Sequence, residues 1–572
     1  MAEGKINNIL EKIIATSGDE FYTPIPQGYT PGKTKYVVIT GSVMSGIGKG
    51  TISSSLCHLL KYRGLNVEPI KLEAYLNVDA GTLNPFRHGE VFVLDDGTET
   101  DLDLGTYERM LDKNLSKENF VTSGKIYQTI IENERAGKYL GRDVQFIPHV
   151  TGEIKKVLRE LAVDKNADVV VIEIGGTVGD YENLFAMEAI RELKYEEGYG
   201  NVCIINITYI MQPKSLGEHK SKAAQLGIRK LMELGLQPNV IVCRSETPIN
   251  SKIKEKISLN SNVPMEHVIG VHDVSNIYHL PLSLSDACFD EIVLDVLELN
   301  GKYKKKGEKE LKQWTDKTIV SGNEKLLVIG IAGKYTGSAD TYISILKALE
   351  HCSFAVNRKI EVKWIEATEI ETGKKTVEEA FEGIDGLIVP GGFGVRGVEG
   401  KIACIRHCRE KNIPFLGLCY GFQLALVEFA RNVLKKSDAN STEWKPECEC
   451  PVIDILPEQK KIEGLGGNMR LGGKDVELKP GTIAFEIHGK KKTIRRRFRH
   501  RFECNPMFIE EFEKAGIVFS GKAPLHPIMQ ILELPKHCFF MATQFHPEFT
   551  SRPLHADEIF LEFCKKSAGK QK

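Results

Sequence analysis

Twice along this chain an apolar, strand-like run opens an alternating strand and helix pattern, and that doubling constrains the fold most. The first run is KYVVIT at 35–40, followed by a Gly/Ser loop, a helix-like stretch through SSSLCHLLKYRG and a second run, VEPIKL. A strand–loop–helix–strand unit of this kind starts a parallel α/β sheet. ADVVVIEIGG at 167–176, NVCIINITYI at 201–210 and NVIVCRS at 239–245 continue it. Such unbroken apolar runs suit strands covered on both faces. The second unit starts at KLLVIGIAGKY, 325–335, and continues through IDGLIVPGGFG at 384–394 and NIPFLGLCYGFQLALVEFA at 412–430. We therefore expect an α/β protein with an extension over 1–33, a first domain over 34–298, a linker over 299–324 and a second domain over 325–568.

Composition agrees with this division. At roughly 150 residues per domain, 572 residues allow two to four domains. The 76 Lys and Arg against 77 Asp and Glu leave a net charge of −1. A chain that wraps a nucleic-acid backbone carries a basic excess, so any polyanion here must be met locally. No apolar stretch is long enough to span a bilayer, and MAEGKINNILEKIIATSGDE has no signal-peptide core, so a cytoplasmic protein is expected. Thirteen cysteines without a C-x-x-C pair argue against a zinc site and for buried thiols in a reducing compartment. The arm YTPIPQGYTPGKTK, 22–35, reads as extended or loosely docked. The linker holds six lysines between Lys302 and Lys312 and reads as a solvated segment or exposed helix.

Two loops carry chemistry. In GSVMSGIGKGT, 41–51, Gly46, Gly48, Lys49, Gly50 and Thr51 suit a phosphate cradle at a helix N-terminus. Val43 and Gly50 stand where a strict G-x-x-x-x-G-K-[ST] loop has glycine and a hydroxyl, so a glycine-rich turn with an incidental lysine competes with that reading. Lys71 at a strand end, Asp101 and Asp103 in ETDLDLGTYER, and Glu173 before a glycine turn, with Asp180 and Glu182 beyond it, supply the groups that Mg²⁺ and a nucleotide need. Taken alone, Asp101 and Asp103 could form a solvated turn. The second loop, PFLGLCYGFQ, places Cys419 between Gly417 and Gly421 in a G-x-[SC]-x-G elbow at a helix N-terminus, which favours thiolate. His546 in QFHPEF is the expected base, and Glu548 at i+2 on an extended segment would orient it. PGGFG, 390–394, offers backbone N–H groups to an oxyanion. The chemistry implied is acyl transfer through a thioester.

These motifs together resemble the CTP synthase family, a nucleotide-dependent amidoligase fused to a glutamine amidotransferase. The resemblance covers about 35–565 and rests on KYVVITG, SGIGKG, NVDAGTLNPFRHGEVFVLDDGTETDLDLG, EIGGTVGDYEN, PGGFGVRGVEGKI, NSTEW and QFHPEFTSRP. It implies a P-loop-type parallel-sheet synthetase domain and a class I amidotransferase domain. The implied reaction phosphorylates O4 of UTP with ATP and then displaces phosphate at C4 with ammonia from L-glutamine. By resemblance Gly46, Ile47, Gly48, Lys49, Gly50, Thr51 and Lys71 hold ATP, the stretch from His272 to Val274 touches adenine, and Asp103 and Glu173 bind Mg²⁺. The pyrimidine nucleotide maps to Ser45, Asp180, Tyr181, Glu182, Lys220, Ser221, Lys222, Ala223, Ala224, Gln225 and Lys256. Cys419, His546 and Glu548 form the triad, while Gly392, Tyr420, Gly421, Phe422, Gln423, Glu443 and Arg501 cradle glutamine. Charge suggests Arg501 for the α-carboxylate and Glu443 for the α-amino group. CTP as feedback inhibitor, GTP as activator, a homotetramer and filaments are also implied.

Several departures from the family pattern stand out: GSVMSGIGKG, Glu73 in KLEAYLN, Ala223, Ala224 and Leu226 after Lys222, and Tyr420 and Phe422 where Leu and Met are common. The Ala and Leu changes are expected to line the UTP and CTP site. KKKTIRRRFRHR, 490–501, resembles a nuclear-localisation or polyanion patch; apart from Arg501 it is expected to face the interdomain crevice or solvent. Two competing readings are an amidoligase with another substrate and an idle filament subunit. The second leaves Lys49, Lys71, Asp103, Glu173, Cys419, His546 and Glu548 without a purpose.

Overall fold

The computed structural model describes residues 22, 24–215, 217–303, 307–322, 325–334, 337–455 and 469–569. The chain divides into two compact units, one of Met1–Thr82 and Thr106–Asp316, the other of Leu83–Gly105 and Lys317–Lys572.

The first unit is built on β1 (Lys35–Gly41), α1 (Lys49–Tyr62), β2 (Val67–Glu73), β3 (Phe120–Thr122), β4 (Val169–Ile174), β5 (Val202–Tyr209), β6 (Val240–Ser245) and β7 (Val268–His272). The strands form one parallel sheet in the order β3-β2-β4-β1-β5-β6-β7. Every residue of β4 is buried, and so is each of β1 after Lys35, as strands covered on both faces require. Register sets Lys71 of β2 beside Glu173 of β4, with Ile39 of β1 opposite Glu173 on the other side. The strand order reverses about β1, so the loop after β1 opens at a topological switch point, where parallel sheets bind ligands.

The arm is docked, not loose. Tyr29 and Tyr36 share a 2.8 Å hydroxyl hydrogen bond, Gly32 N–H donates to Glu197, and the Tyr22 ring stacks on His149. Its prolines left no apolar period to read, yet aromatic side chains anchor it. The linker also gains structure, because a helix at Glu308–Lys317 buries Leu311 and Trp314, and the Trp314 indole donates to the Tyr278 carbonyl.

The second unit carries β8 (Leu327–Gly333), β9 (Ile360–Glu366), β10 (Gly386–Val389), α2 (Val398–Lys411), β11 (Phe415–Leu418), α3 (Tyr420–Asn432), β12 (Arg470–Leu478), β13 (Thr493–His500), β14 (Val518–Lys522), β15 (Met529–Glu533) and β16 (Phe540–Thr543). Its sheet order is β9-β8-β10-β11-β16-β15-β14-β12-β13. The first five strands are parallel and the others join antiparallel. Both faces of the sheet are covered by apolar clusters.

The basic run is a correction to the sequence reading. It forms β13, and side chains two apart share a face. Arg495 pairs with Asp95 at 2.9 Å, Arg497 donates to the Val93 carbonyl and Arg499 pairs with Glu99 at 2.7 Å, all on the excursion Leu83–Gly105. On the opposite face Arg496 meets Glu558 at 2.9 Å. Arg497 and Arg499 turn inward to Val93 and Glu99, while Arg495 stays exposed and Lys490, Lys491 and Lys492 face solvent as expected. Among the described residues no helix is long and apolar enough to cross a membrane.

Candidate active site

The strand β11 ends at Leu418, α3 begins at Tyr420, and Cys419 alone makes the turn, with φ 50° and ψ −93°. A non-glycine residue held there is strained, which is how an elbow lifts a nucleophile out of a sheet. The flanking glycines are obligatory: a Cβ on Gly417 would lie 2.8 Å from the Gly421 carbonyl, and one on Gly421 would lie 2.2 Å from that of Val389. The Cys419 backbone N–H is fixed by the Thr543 carbonyl at 2.7 Å.

His546 and Glu548 meet as expected but by another route. The segment Pro547–Thr550 is a 3₁₀ turn rather than a strand, and it brings Glu548 Oε1 to 2.7 Å from His546 Nδ1. Phe549 stacks on the imidazole at 4.8 Å between centroids. Burial opposes charge on His546, but the Glu548 carboxylate and the Cys419 sulfur outweigh it and push the imidazolium up to about 10. The same cavity is lined by Cys419, His546, Glu548, Gly391, Gly392 and Glu90.

The backbone of the glycine loop runs against the pair. A Cβ on Gly391 would stand 3.0 Å from His546 Cε1 and 3.8 Å from Cys419 Cβ. Gly391→Ala is therefore expected to displace the imidazole and slow glutamine hydrolysis by about 10–100-fold, measured as glutamate release, with ammonia-supported turnover kept.

Glu443 Oε1 accepts the Gly394 N–H at 2.9 Å, and the Tyr420 hydroxyl donates to the Gly394 carbonyl at 2.6 Å. Burial raises the Glu443 carboxyl, while the Gly394 N–H, Lys334 and Arg501 oppose it. Gln423 donates to the Phe502 carbonyl at 2.9 Å. Residues missed at the sequence level include Gln544, whose amide donates to Cys419 Sγ at 3.5 Å, and Lys401, buried beneath Tyr420. Gln544 stands in the quoted QFHPEF motif, and that placement was the available signal.

In the first unit, the glycine loop turns at Gly46 (φ 72°) and Gly48 (φ 84°) to present the N-terminus of α1. Lys49 Nζ folds back over Gly41 and donates to the Gly176 carbonyl at 2.7 Å. Lys71 lies 3.0 Å from Glu73 and 3.8 Å from Glu173, and the Tyr107 hydroxyl donates to Glu173 at 2.7 Å. The strand-end reading missed Arg244, which ends β6, donates to the Ile47 carbonyl of the loop and pairs with Asp273 beside Val274. Asp103 N–H caps on Asp101 at 3.1 Å. Asp103 belongs to the second unit and Glu173 to the first.

Comparison with known proteins now bears on both sites. A family model described as CTP synthase N-terminus matches residues 35–299, and one described as Glutamine amidotransferase class-I matches 338–566. The CTP synthase of Pyrococcus abyssi is 49% identical over 531 residues, covering 92% of this chain and 96% of its own. The chain belongs to the CTP synthase family. The CTP synthase of Bacillus subtilis is 46% identical over 93% of this chain and 98% of its own. A solved Trypanosoma brucei CTPS glutaminase domain with bound acivicin is 36% identical, covers 43% of this chain and 95% of its own, and has a TM-score of 0.40.

Within this CTP synthase family member, the candidate pyrimidine residues divide. Tyr181 is exposed, Asp180 caps the Thr177 N–H at 2.7 Å, Lys220 pairs with Glu218, and Lys256 is exposed on its helix. Ser221 caps the helix that Lys222 begins, and Gln225 donates to its hydroxyl at 3.1 Å. The Ala224 side chain is wholly buried in an apolar cluster with Ile210, Ile228 and Ile257, in the first turn of that helix. Leu226 is exposed.

The raised His546 sets a pH test. Below its pKa the imidazolium donates a proton to departing ammonia; above it that donor is lost. Glutamine hydrolysis is expected to fall on the alkaline side near pH 10, and in Glu548→Gln that limb should move down by about one unit or more, because the anion that holds the proton is gone. A pH–rate profile of both proteins reads this.

Proposed function

We propose that this chain converts UTP to CTP with ATP, drawing ammonia from L-glutamine. The reading rests on one observation: a single chain carries both a thiol triad built on a strained elbow and a lysine-bearing phosphate loop at a sheet switch point. In the second unit Cys419 attacks the glutamine amide, His546 protonates the leaving ammonia, and water then releases glutamate from the thioester. Gly392 and the loop N–H groups take the oxyanion, while Glu443, Arg501, Gly421, Phe422 and Gln423 hold the zwitterion and Tyr420, its hydroxyl given to Gly394, supports the loop beside them. In the first unit Gly46–Thr51, Lys49 and Lys71 hold the phosphates of ATP, and Val274 lies at its base. Ser45, Asp180–Glu182, Lys220–Gln225 and Lys256 hold UTP. ATP phosphorylates O4 of UTP, and ammonia attacks C4 and expels phosphate.

Among the described residues no three His, Cys, Asp or Glu side chains gather into a metal site. Mg²⁺ on a nucleotide needs only one or two carboxylates, with phosphate oxygens and water completing its shell. Glu173, a carboxylate at a strand end beside Lys71, fits that need. The metal would neutralise charge on the transferring phosphate. CTP inhibition, GTP activation, a cytoplasmic homotetramer and filaments complete the proposal. The test is nucleotide analysis after incubation with ATP, Mg²⁺, UTP and either glutamine or ammonia. CTP from both nitrogen sources is expected, and its absence from both would overturn the reading.

A further inference from the structure

The residue after the nucleophile is Tyr420, a large side chain with a polar tip in an otherwise apolar neighbourhood. Its side chain is buried and engaged on three sides. The hydroxyl donates to the Gly394 carbonyl at 2.6 Å, the ring lies 5.2 Å from Lys401 Nζ, and its edge meets Trp444 at 5.5 Å between centroids. Burial pulls the Lys401 ammonium down to about 7, so its contact with the Tyr420 ring is first a packing contact, and the hydroxyl hydrogen bond to Gly394 is what only tyrosine supplies here. Lys401 comes from α2 and is buried.

Both groups bear on the oxyanion loop. A Cβ on Gly392 would sit 3.8 Å from Lys401 Nζ and 3.9 Å from Tyr420 Cδ1, so the pair faces the loop at a distance that one methyl group would close. One residue on, the Phe393 carbonyl accepts from Lys334, and that ammonium lies 4.6 Å from the Phe393 ring. The Gly394 peptide is then held at both ends, N–H by Glu443 and C=O by Tyr420. Donors catalyse when they are fixed before charge develops, so a loop whose carbonyls are pinned keeps its remaining N–H groups aimed at the oxygen that becomes the oxyanion.

We propose that Tyr420 and Lys401 form a buried clamp that positions the Gly391–Gly394 loop for the oxyanion of glutamine hydrolysis. Tyr420 and Lys401 are positioning residues in this role, which deepens the glutaminase reading and rests on it.

The test uses the full chain and the variants Tyr420→Phe, which removes one oxygen, and Lys401→Met, which keeps the length without the charge. Four quantities are read: kcat and KM for glutamine hydrolysis, ammonia-supported CTP formation, and the rate of Cys419 alkylation by iodoacetamide. In Tyr420→Phe kcat should fall about 10-fold with KM within about twofold. Alkylation and the ammonia-supported rate should hold, because neither uses the oxyanion loop. Lys401→Met should act the same way, and the double variant should be no worse than the more impaired single variant, as for two parts of one clamp. The clamp is overturned if Tyr420→Phe keeps full kcat, if KM alone rises, or if alkylation or ammonia use falls in step with kcat. A wild-type protein without glutaminase activity sinks the parent reading and the clamp together; an active wild type with unchanged variants sinks the clamp alone.

Discussion

Cys419→Ala is expected to reduce glutamine-supported CTP formation by at least about 10⁴-fold while leaving the ammonia-supported reaction near its wild-type rate. The size follows from the chemistry, since no other group in the elbow can form the thioester. Gln544 and the Arg499 carbonyl approach the sulfur, but an amide and a carbonyl are poor nucleophiles. Alanine also suits the site sterically, because the strain at φ 50° is set by the backbone and the packing of Gly417 and Gly421. The comparison is made in one preparation, with glutamine and then an ammonium salt as nitrogen donor. Loss of both activities in folded protein would count against a separate glutaminase site.

Lys49→Ala should behave in the complementary way. CTP formation should drop at least about 10³-fold from either nitrogen source, while glutamate release persists. Lys49 starts α1 directly after Gly48, so its ammonium joins the helix N-terminus in meeting phosphate, and Lys71, held by Glu73 and Glu173, cannot take its place at the helix end. Arginine at 49 is not an equivalent substitute, because a planar guanidinium does not present the compact ammonium that lies over Gly41 and reaches the Gly176 carbonyl. Survival of ammonia-supported synthesis in Lys49→Ala would remove the phosphate role. The two variants together separate the nitrogen-releasing chemistry from the phosphoryl chemistry.

Much of this was legible in the residues. The apolar runs at 35–40, 169–174, 202–209 and 415–418 became buried parallel strands because a strand covered on both faces leaves no polar alternation to misread. Cys419 was legible because the elbow needs small neighbours at fixed offsets, and the Cβ clashes at Gly417 and Gly421 show why. What failed did so for reasons of range. The arginines at 495–499 read as a basic patch because their partners, Asp95, Val93 and Glu99, lie about 400 positions away.

The sequence by itself determined the two α/β units, the glycine loop after the first strand and the cysteine elbow, and it named the proposed nucleophile, base and orienting acid, since each depends on local spacing and on side-chain chemistry. Tertiary structure decided how those groups are held. His546 and Glu548 meet through a 3₁₀ turn, Gln544 reaches the sulfur, and Tyr420 ties its hydroxyl to Gly394 while resting on Lys401 from another helix. Chain order carries no record of such contacts. They arise only when packing brings distant segments within hydrogen-bonding distance, and there a single side chain, Tyr420, places a hydroxyl where a carbonyl can receive it.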